Sequence, residues 1–208
     1  MTKTTENEYK FTNMGEMSAA EVVGRLRSFL DSSGVTFEEK TRKSVDTYYD
    51  SDDLVLYRSD CSLRQKVSSN GKIKLTIKRP VSKDGGVMSR EEIEIRSDGS
   101  LESVKSFCGQ YFPDLRIGDI PVVSVENERF AFNYTDGSGI MLSLDSCEYV
   151  SGEKRMRFYE IEIESMDDGV QRDFDSIGLC GFVKDELGFE PTVKSKYCRG
   201  VEWVREGP

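Results

Sequence analysis

The sequence predicts an α+β protein in which most strands are antiparallel and a few helices flank the sheet. Short segments place charged residues at alternate positions with apolar residues between them, as in Lys72–Lys78 and Glu160–Glu164. Alternate side chains of a strand share one face, so each segment presents a row of charge. The Asn70-Gly71 turn is typical of a tight antiparallel hairpin. The charged faces would suit either bulk water or the lumen of a closed barrel.

In the first half of the chain, strands surround one well-delimited helix. Ser18 and Glu21 form a capping box that opens an amphipathic helix, and Gly34 lies just beyond its end. A flexible loop is expected over residues 83–86. Extended segments are predicted over 4–12, 43–50, 54–58, 61–68, 72–79 and 88–96.

The second half of the chain adds two helices. One is predicted over Leu101–Tyr111, and the other runs over 168–187 and stops at Gly188. Strands are expected over 122–133, 139–149, 155–165 and 192–198. No internal repeat or long linker divides these elements, so residues 1–208 are predicted to form a single domain.

Composition narrows the classes of function. The chain has 208 residues and a formal net charge of -9, which argues against a broad basic surface for nucleic acid or an anionic membrane. It has no histidine, which excludes Ser-His-Asp and Cys-His catalysis and leaves oxygen ligands for any metal. The five cysteines are widely spaced and include no CxxC pair, so we expect reduced thiols. No signal peptide or membrane helix is apparent, and we expect a cytoplasmic protein.

The acidic row over Glu160–Glu164 is the feature that a solvated sheet explains least well. Its three carboxylates would lie about 7 Å apart on one face and repel one another unless cations screen them. The row over Lys72–Lys78 is the opposite case, since a string of phosphates would stabilise it. A solvated face with cross-strand ion pairs explains either row alone. Together the rows favour a lumen that holds water, metal and an anionic ligand, because buried dry they would cost free energy.

Several motifs in the correct order resemble those of the CYTH superfamily, also called triphosphate tunnel metalloenzymes. The mark of that family is an N-terminal ExExK motif, which here is Glu6, Glu8 and Lys10. The other similar segments are Asp46–Asp50 with Leu54, Ser62–Lys66, Lys74–Lys78, Arg90–Glu94, Arg129, Asp145, Glu160–Glu164 and Lys194–Tyr197. The resemblance spans nearly the whole chain, and the order of the motifs makes it specific.

The resemblance implies an eight-stranded antiparallel β-barrel that forms a triphosphate tunnel, with Mg²⁺ or Mn²⁺ as the cofactor. The catalytic residues that it implies are Glu160, Glu162 and Glu8. The implied metal ligands are Glu6, Glu8, Glu160, Glu162, Glu164 and Asp145, and the other tunnel acids are Glu92 and Glu94. The implied triphosphate-binding residues are Lys10, Arg64, Lys66, Lys74, Lys78, Arg90, Arg129, Lys194 and Lys196. Lys66 departs from the family pattern, where arginine is common, and predicts looser phosphate geometry at that position.

By this resemblance the expected function is a metal-dependent hydrolase that removes the terminal phosphate of inorganic tripolyphosphate or another triphosphate. A class IV-type adenylate cyclase and a thiamine triphosphatase are alternatives within the family. A polyphosphate-binding module without catalysis is a third alternative. The expected partner is a small-molecule triphosphate or inorganic polyphosphate, with no nucleic acid and no membrane, and the protein is expected to be a monomer or a homodimer.

Overall fold

The computed structural model describes residues 1–15, 17–84, 87–165 and 177–206 and contains one nine-stranded sheet. Its strands are β1 Thr2–Asn13, β2 Phe37–Tyr49, β3 Ser62–Ser68, β4 Ile73–Asp84, β5 Val87–Arg96, β6 Val123–Tyr134, β7 Ile140–Ser151, β8 Lys154–Ser165 and β9 Glu190–Pro191. Its helices are α1 Ala19–Ser32, α2 Val55–Arg58, α3 Leu101–Tyr111, α4 Leu179–Gly181, which continues as a π-helical turn over Phe182–Glu186, and α5 Lys196–Glu206.

Eight of the strands close into an antiparallel barrel. The strand order is β5-β4-β3-β2-β6-β7-β8-β1, and β1 also pairs with β5 through the register Glu6↔Arg90. The short strand β9 pairs with β1 beside Phe11 and Thr12. Closure leaves these eight strands without a free edge. The barrel predicted from the sequence is therefore confirmed.

The outer face of the barrel is apolar where helices cover it. Helix α1 and the α4 turn pack on β1, β7 and β8, and this layer includes Leu26, Leu30, Leu144, Ile161, Ile163 and Val183. Helix α3 packs on β3, β4 and β5, and this layer includes Leu63, Leu75, Ile77, Ile93, Val104 and Phe107. With the apolar positions outside, the alternate charged positions of the same strands face the interior.

Helix α5 closes one end of the barrel. Tyr197 and Val201 are fully buried there, in the same apolar cluster as Tyr149. The ring of Trp203 stacks on Tyr149 with centroids 5.7 Å apart, and the Tyr149 hydroxyl donates a hydrogen bond of 2.7 Å to the Lys196 carbonyl. The sequence pattern predicts a strand over 192–198, and this is wrong. The strand β9 ends at Pro191, residues 192–195 have no regular secondary structure, and the helix that begins at Lys196 buries Tyr197 and Val201 at i, i+4 spacing.

The predicted extended segment over 54–58 is also wrong. Residues Val55–Arg58 form a helical turn that follows Leu54, whose backbone is left-handed with a φ of 56°. The carboxylate of Asp50 accepts hydrogen bonds from the backbone N–H groups of Leu56 and Tyr57 at 3.0 and 2.9 Å. These bonds satisfy donors that the first turn of a helix leaves unpaired, so the segment turns instead of extending.

The remaining predicted strands and helices are present, although β2 begins at Phe37, six residues before the predicted start at 43, and β4 runs to Asp84, five residues beyond the predicted end at 79. The loop predicted over 83–86 is wrong at Lys83 and Asp84, which pair with Met88 and Val87 as part of a hairpin, and residues 85–86 lie outside the described ranges. The helix predicted over 168–187 is wrong at Ile177 and Gly178, because the left-handed backbone of Gly178, with a φ of 73°, interrupts it. Residues 166–176 lie outside the described ranges, and the described part of that helix ends before Gly188, whose φ is 69°. None of the helices in the described ranges is long and apolar enough to cross a membrane.

Candidate active site inside the barrel

Charged side chains fill the middle of the barrel. Those with a carboxylate are Glu6, Glu8, Asp46, Glu92, Asp145, Glu160, Glu162 and Glu164, and all of them are buried. Those with a cationic group are Lys10, Arg64, Lys66, Lys78, Arg90, Arg129, Lys196 and Arg199, which are buried or half-buried. Most of these residues occupy alternate positions of the strands, whereas Lys196 and Arg199 lie on α5. Acidic and basic side chains are thus interleaved throughout the described part of the interior.

Two sets of carboxylates are close enough to hold a metal ion. The first carboxylate group is Glu8, Glu162 and Glu164, and the second carboxylate group is Asp145, Glu160 and Glu162. In each group the oxygen atoms that could act as ligands lie within 4.8 Å of one another, and Glu162 belongs to both. The register explains this convergence, because β8 lies between β1 and β7 with Glu8↔Glu164 and Asp145↔Glu160 directly opposite.

Among the described residues, four basic side chains pair with these carboxylates: Lys10, Arg129, Lys196 and Arg199. Lys10 Nζ is 3.0 Å from Glu8 and 3.3 Å from Glu162, and Lys196 Nζ is 2.8 Å from Asp145. Lys196 also bonds Glu160 and lies 3.1 Å from Glu162, while Arg129 contacts a carboxylate of each group. These contacts compensate the buried negative charge without metal. A bound metal ion would compete with these cations for the same carboxylate oxygen atoms.

A second set of basic side chains lies across the interior from the carboxylate groups. Arg64 Nη1 is 3.0 Å from Asp46, and Lys78 Nζ is 2.5 Å from Glu6 and 3.4 Å from Glu92. A cavity of about 40 Å³ lies between these basic side chains and the carboxylate groups. Its lining includes Glu8, Lys10, Arg64, Lys78, Arg90 and Lys196. It has room for a few water molecules, so a triphosphate could enter only if some of these ion pairs opened.

Unpaired donors beside the cavity indicate the kind of ligand that it fits. The Nε atoms of Arg64 and Arg90 are buried and have no hydrogen-bond partner among the described residues. A buried N–H group without an acceptor costs free energy, and an anion in the cavity would supply the acceptor. Arginine donors in this number suit phosphate oxygens. The basic side chains that line the cavity are therefore of the kind that binds phosphate oxygens, and Glu8 and Glu162 of the first carboxylate group lie beside them.

Burial and charge shift the pKa values of neighbouring carboxyls in opposite directions. Burial raises the pKa of Glu164 well above its usual value, and Arg129 offsets only part of that effect. Burial acts in the same direction on Glu162, but there Lys196, Arg129 and Lys10 outweigh it and hold its pKa well below the usual value. Glu164 thus keeps a proton more readily than Glu162, and a metal ion in the first carboxylate group would release that proton.

The structure brings most of the predicted site residues together, but Lys74, Glu94 and Lys194 lie away from the cavity. Lys74 and Glu94 form a half-exposed ion pair of 2.5 Å away from the cavity. Lys194 is exposed and pairs with Glu202 at 2.8 Å, outside the interior. Lys66 faces the interior but has no carboxylate within ion-pair distance in the part of the chain that the structure describes. The ligand and catalytic roles of all these residues stay predictions.

Some charged residues of the interior were not among the predicted site residues. Asp46 lies in a segment that matches a family motif, and its alternation with the buried Tyr48 is a signal that could have placed it inside. Arg199 bonds both Glu160 and Thr12, and its guanidinium lies 4.8 Å from the Phe158 ring. It follows Lys196 by three residues, a helical spacing, so only recognising α5 would have revealed it.

Three solved structures show the same fold. A candidate adenylyl cyclase from Hippeastrum, described as having a dominant triphosphatase activity, is 19% identical with a TM-score of 0.60, over 97% of this chain and 96% of that chain. A candidate adenylate cyclase from Bacillus halodurans is 16% identical with a TM-score of 0.54, over 96% and 98%. A protein from Pyrococcus horikoshii is 20% identical with a TM-score of 0.53, over 92% and 95%.

No curated protein matches the chain significantly. The model of the CYTH domain family matches residues 19–174, which is well over half of the sequence. The ExExK motif of Glu6, Glu8 and Lys10 precedes the matched range, and the structure places it on β1 with all three side chains in the charged interior. The sequence match, the closed barrel and its charged interior agree, and the chain belongs to the CYTH domain family.

Proposed function

We propose that this protein is a divalent-metal-dependent triphosphatase that releases the terminal phosphate of inorganic tripolyphosphate. One observation carries the proposal: two buried carboxylate groups that share Glu162 lie beside a cavity lined by basic side chains. Carboxylates suit hard divalent cations, and arginine and lysine suit phosphate oxygens. The interior therefore contains carboxylates that suit the metal ion and basic side chains that suit the triphosphate.

The basic side chains would bind and orient the substrate. Arg64, Lys78 and Arg90 lie on β3, β4 and β5, and Lys10 and Lys196 face them across the cavity. Rigid strands and a packed helix hold these groups, so little ordering would be needed when a linear triphosphate binds. Preorganised cations that face the phosphate oxygens also stabilise the charge that develops during phosphoryl transfer.

The donor set fits Mg²⁺ or Mn²⁺. The first carboxylate group offers Glu8, Glu162 and Glu164, and the second adds Asp145 and Glu160, all as oxygen ligands. When bound, such an ion would withdraw charge from the phosphate oxygens and acidify a water molecule. The carboxylates themselves would orient the attacking water and accept its proton, with Glu8, Glu160 and Glu162 as the proposed catalytic residues.

The aromatic side chains of the interior bear on which triphosphate is the substrate. Among the strand residues that the structure describes, Tyr48, Tyr149 and Phe158 are the aromatic residues at inward positions, and all lie at the end that α5 closes. The described strand residues at the opposite end therefore offer no ring on which an adenine or a thiazolium could stack. This favours an inorganic triphosphate over ATP or thiamine triphosphate. The triphosphatase activity described for the Hippeastrum protein supports hydrolysis over cyclisation.

The test is phosphate release from tripolyphosphate, ATP and thiamine triphosphate, each with Mg²⁺ or Mn²⁺. We expect rapid, metal-dependent release from tripolyphosphate, slower release from the two organic triphosphates, and no activity after chelation. Cyclic AMP and pyrophosphate formed from ATP would instead identify a cyclase. Tight tripolyphosphate binding without release over hours would identify a binding module, and either result would contradict the proposal.

A further inference from the structure

Arg90 differs from the other basic side chains of the interior in the position of its partner. Lys10, Lys196 and Arg129 pair with members of the two carboxylate groups. Arg64 and Lys78 pair with Asp46, Glu6 and Glu92, which also lie on strands of the barrel. Arg90 instead donates a hydrogen bond of 3.2 Å from Nη2 to Oδ1 of Asp60, in the loop between α2 and β3. Asp60 belongs to neither carboxylate group. The Arg90–Asp60 pair is therefore separate from the ion pairs that metal binding would rearrange.

Burial makes this contact important for the orientation of Arg90. The residue is 2% exposed, and its side chain lines the cavity. While Nη2 bonds Asp60, Nε has no hydrogen-bond partner among the described residues. Anchoring one edge of the planar guanidinium restricts its rotation and leaves other N–H groups for a ligand.

The backbone at Asp60 is left-handed. Its φ is 53°, just after α2 ends. Asp60 N–H bonds the Tyr57 carbonyl at 3.1 Å, and Cys61 N–H bonds the Leu56 carbonyl at 2.9 Å, as in a helix C-terminal cap. Glycine, asparagine and aspartate adopt this conformation more readily than other residues. Asparagine would suit the backbone as well, and what aspartate adds is a negative charge against Arg90.

We propose that Asp60 is a positioning residue for triphosphate binding, which holds the Arg90 guanidinium with its free N–H groups toward the cavity. The inference rests on the proposed function. Because Asp60 is not a candidate metal ligand, Arg90 keeps this partner when metal and triphosphate bind. Its orientation is then set before the substrate arrives, so loss of Asp60 weakens binding of tripolyphosphate more than it slows the chemical step.

The experiment compares wild type with Asp60→Asn, Arg90→Lys and the double variant. Asparagine has nearly the same shape and tolerates a left-handed backbone, so the fold is retained, as circular dichroism would check. We expect KM for tripolyphosphate to rise about tenfold in Asp60→Asn with kcat changed less than about twofold, because a charge-assisted hydrogen bond is lost. Asp53→Asn, in the exposed loop before α2, is the matched control and leaves KM unchanged.

The double variant tests whether Asp60 acts through Arg90. We expect it to bind tripolyphosphate no more weakly than Arg90→Lys alone, whereas additive losses would overturn the positioning role. Asp60→Glu keeps the charge and is expected to recover part of the affinity. Calorimetric titration with tripolyphosphate measures binding directly, and so distinguishes failure of the role of Asp60 from failure of the proposed triphosphatase function. Equal binding by wild type and Asp60→Asn would overturn the role of Asp60 alone, while a wild type that neither binds nor hydrolyses tripolyphosphate would overturn both.

Discussion

Arg129 donates two parallel hydrogen bonds to Asp145, from Nε to Oδ1 and from Nη2 to Oδ2, each 2.7 Å long. The same guanidinium contacts Glu162 and lies 3.3 Å from Glu164. Arg129 therefore neutralises members of both carboxylate groups when no metal is bound. When a metal ion and a phosphate bind, we expect an exchange of partners. The carboxylates would then bind the metal, and the Arg129 guanidinium would bind the phosphate.

Metal and triphosphate are expected to bind cooperatively. The acidic and basic side chains of the interior compensate one another, so a metal ion alone or a triphosphate alone would leave uncompensated charge in a region of low dielectric constant. Together they compensate each other. We expect the affinity for Mn²⁺ to rise at least about tenfold when a non-hydrolysable imidotriphosphate is present.

Calorimetric titrations in both orders measure this coupling. The affinity for imidotriphosphate must rise by the same factor when Mn²⁺ is present, because the linkage is reciprocal. Equal Mn²⁺ affinities with and without the triphosphate, after correction for the metal that free imidotriphosphate binds, would contradict the exchange of partners.

Glu162→Gln should lower activity more than any other single substitution of a carboxylate. Glu162 belongs to both carboxylate groups, and the amide removes a negative ligand from each while nearly keeping the shape. We expect kcat/KM for tripolyphosphate to fall about a hundredfold or more and Mn²⁺ binding to weaken. Phosphate release and calorimetry measure the two effects.

The matched control is Glu91→Gln on the same barrel. Glu91 lies on the outer face of β5, where it pairs with Lys3 at 2.7 Å. An exposed ion pair contributes little, so activity and metal binding should stay within about twofold of wild type. If both glutamine variants lost activity equally, a specific role for Glu162 would be untenable.

Lys66 is expected to set an alkaline limit on substrate binding. Burial lowers the pKa of Lys66 to about 8, with Arg64 and Arg129 adding to that effect and Asp46 and Asp145 opposing it. As the pH rises through this value, Lys66 loses its charge and its attraction for phosphate. We expect kcat/KM for tripolyphosphate to fall with an apparent pKa near 8, measured as a pH profile.

Lys66→Arg should remove that decline, because arginine stays charged throughout the range. A decline that persists in Lys66→Arg would assign it to another group. The free energy of unfolding, in contrast, should rise with pH over this range. The pKa of Lys66 in the folded protein lies below its usual 10.5, so the unfolded state binds more protons between these values. The cost of the buried charge is present at neutral pH and is relieved as pH rises through that window.

Gly200→Ala should destabilise the protein through the contact between α5 and the barrel end. A Cβ atom there would lie 2.9 Å from the ring of Tyr149 and 3.0 Å from Val123. Alanine favours the helix by about 1 kcal/mol, but overpacking of a closed site costs about 1–3 kcal/mol. We expect a net loss of about 1 kcal/mol in the free energy of unfolding, measured with urea.

Gly24→Ala in α1 is the matched control. No atom lies within 4 Å of a Cβ built there, so alanine should stabilise the protein by about 0.5–1 kcal/mol. Stabilisation by both substitutions would show that α5 does not pack tightly on the barrel.

The strands and the charges that they carry could be predicted from the sequence because both depend on a local period of two. Glu6, Glu8 and Lys10 alternate with outward-facing residues such as Tyr9 and Phe11, and the structure places the three charged side chains inside. The same holds for Glu160, Glu162 and Glu164. Helices α1 and α3 were also predicted, and in the structure each has a serine N-cap and buries apolar residues at helical spacing.

The alternation of charged residues predicted the wrong element where it was too short to distinguish a strand from a helix. Lys194 and Lys196 are two residues apart, which suits a strand, yet the structure places Lys196 inside the barrel and Lys194 on the surface. The apolar side chains of α5 decide this, because they can be buried only as a helix across the barrel end. Family resemblance at these residues did not reveal that change of element.

The sequence by itself determined that this chain forms an antiparallel β protein with acidic and basic rows on its strands, because side-chain alternation is a property of each strand alone. Only the tertiary structure decided which rows meet. The barrel register brings Glu8 to Glu162 and Glu164, and the loop after α2 brings Asp60 to Arg90. Such pairs join residues far apart in the chain, and their distances follow from closure of the barrel, which no local pattern encodes.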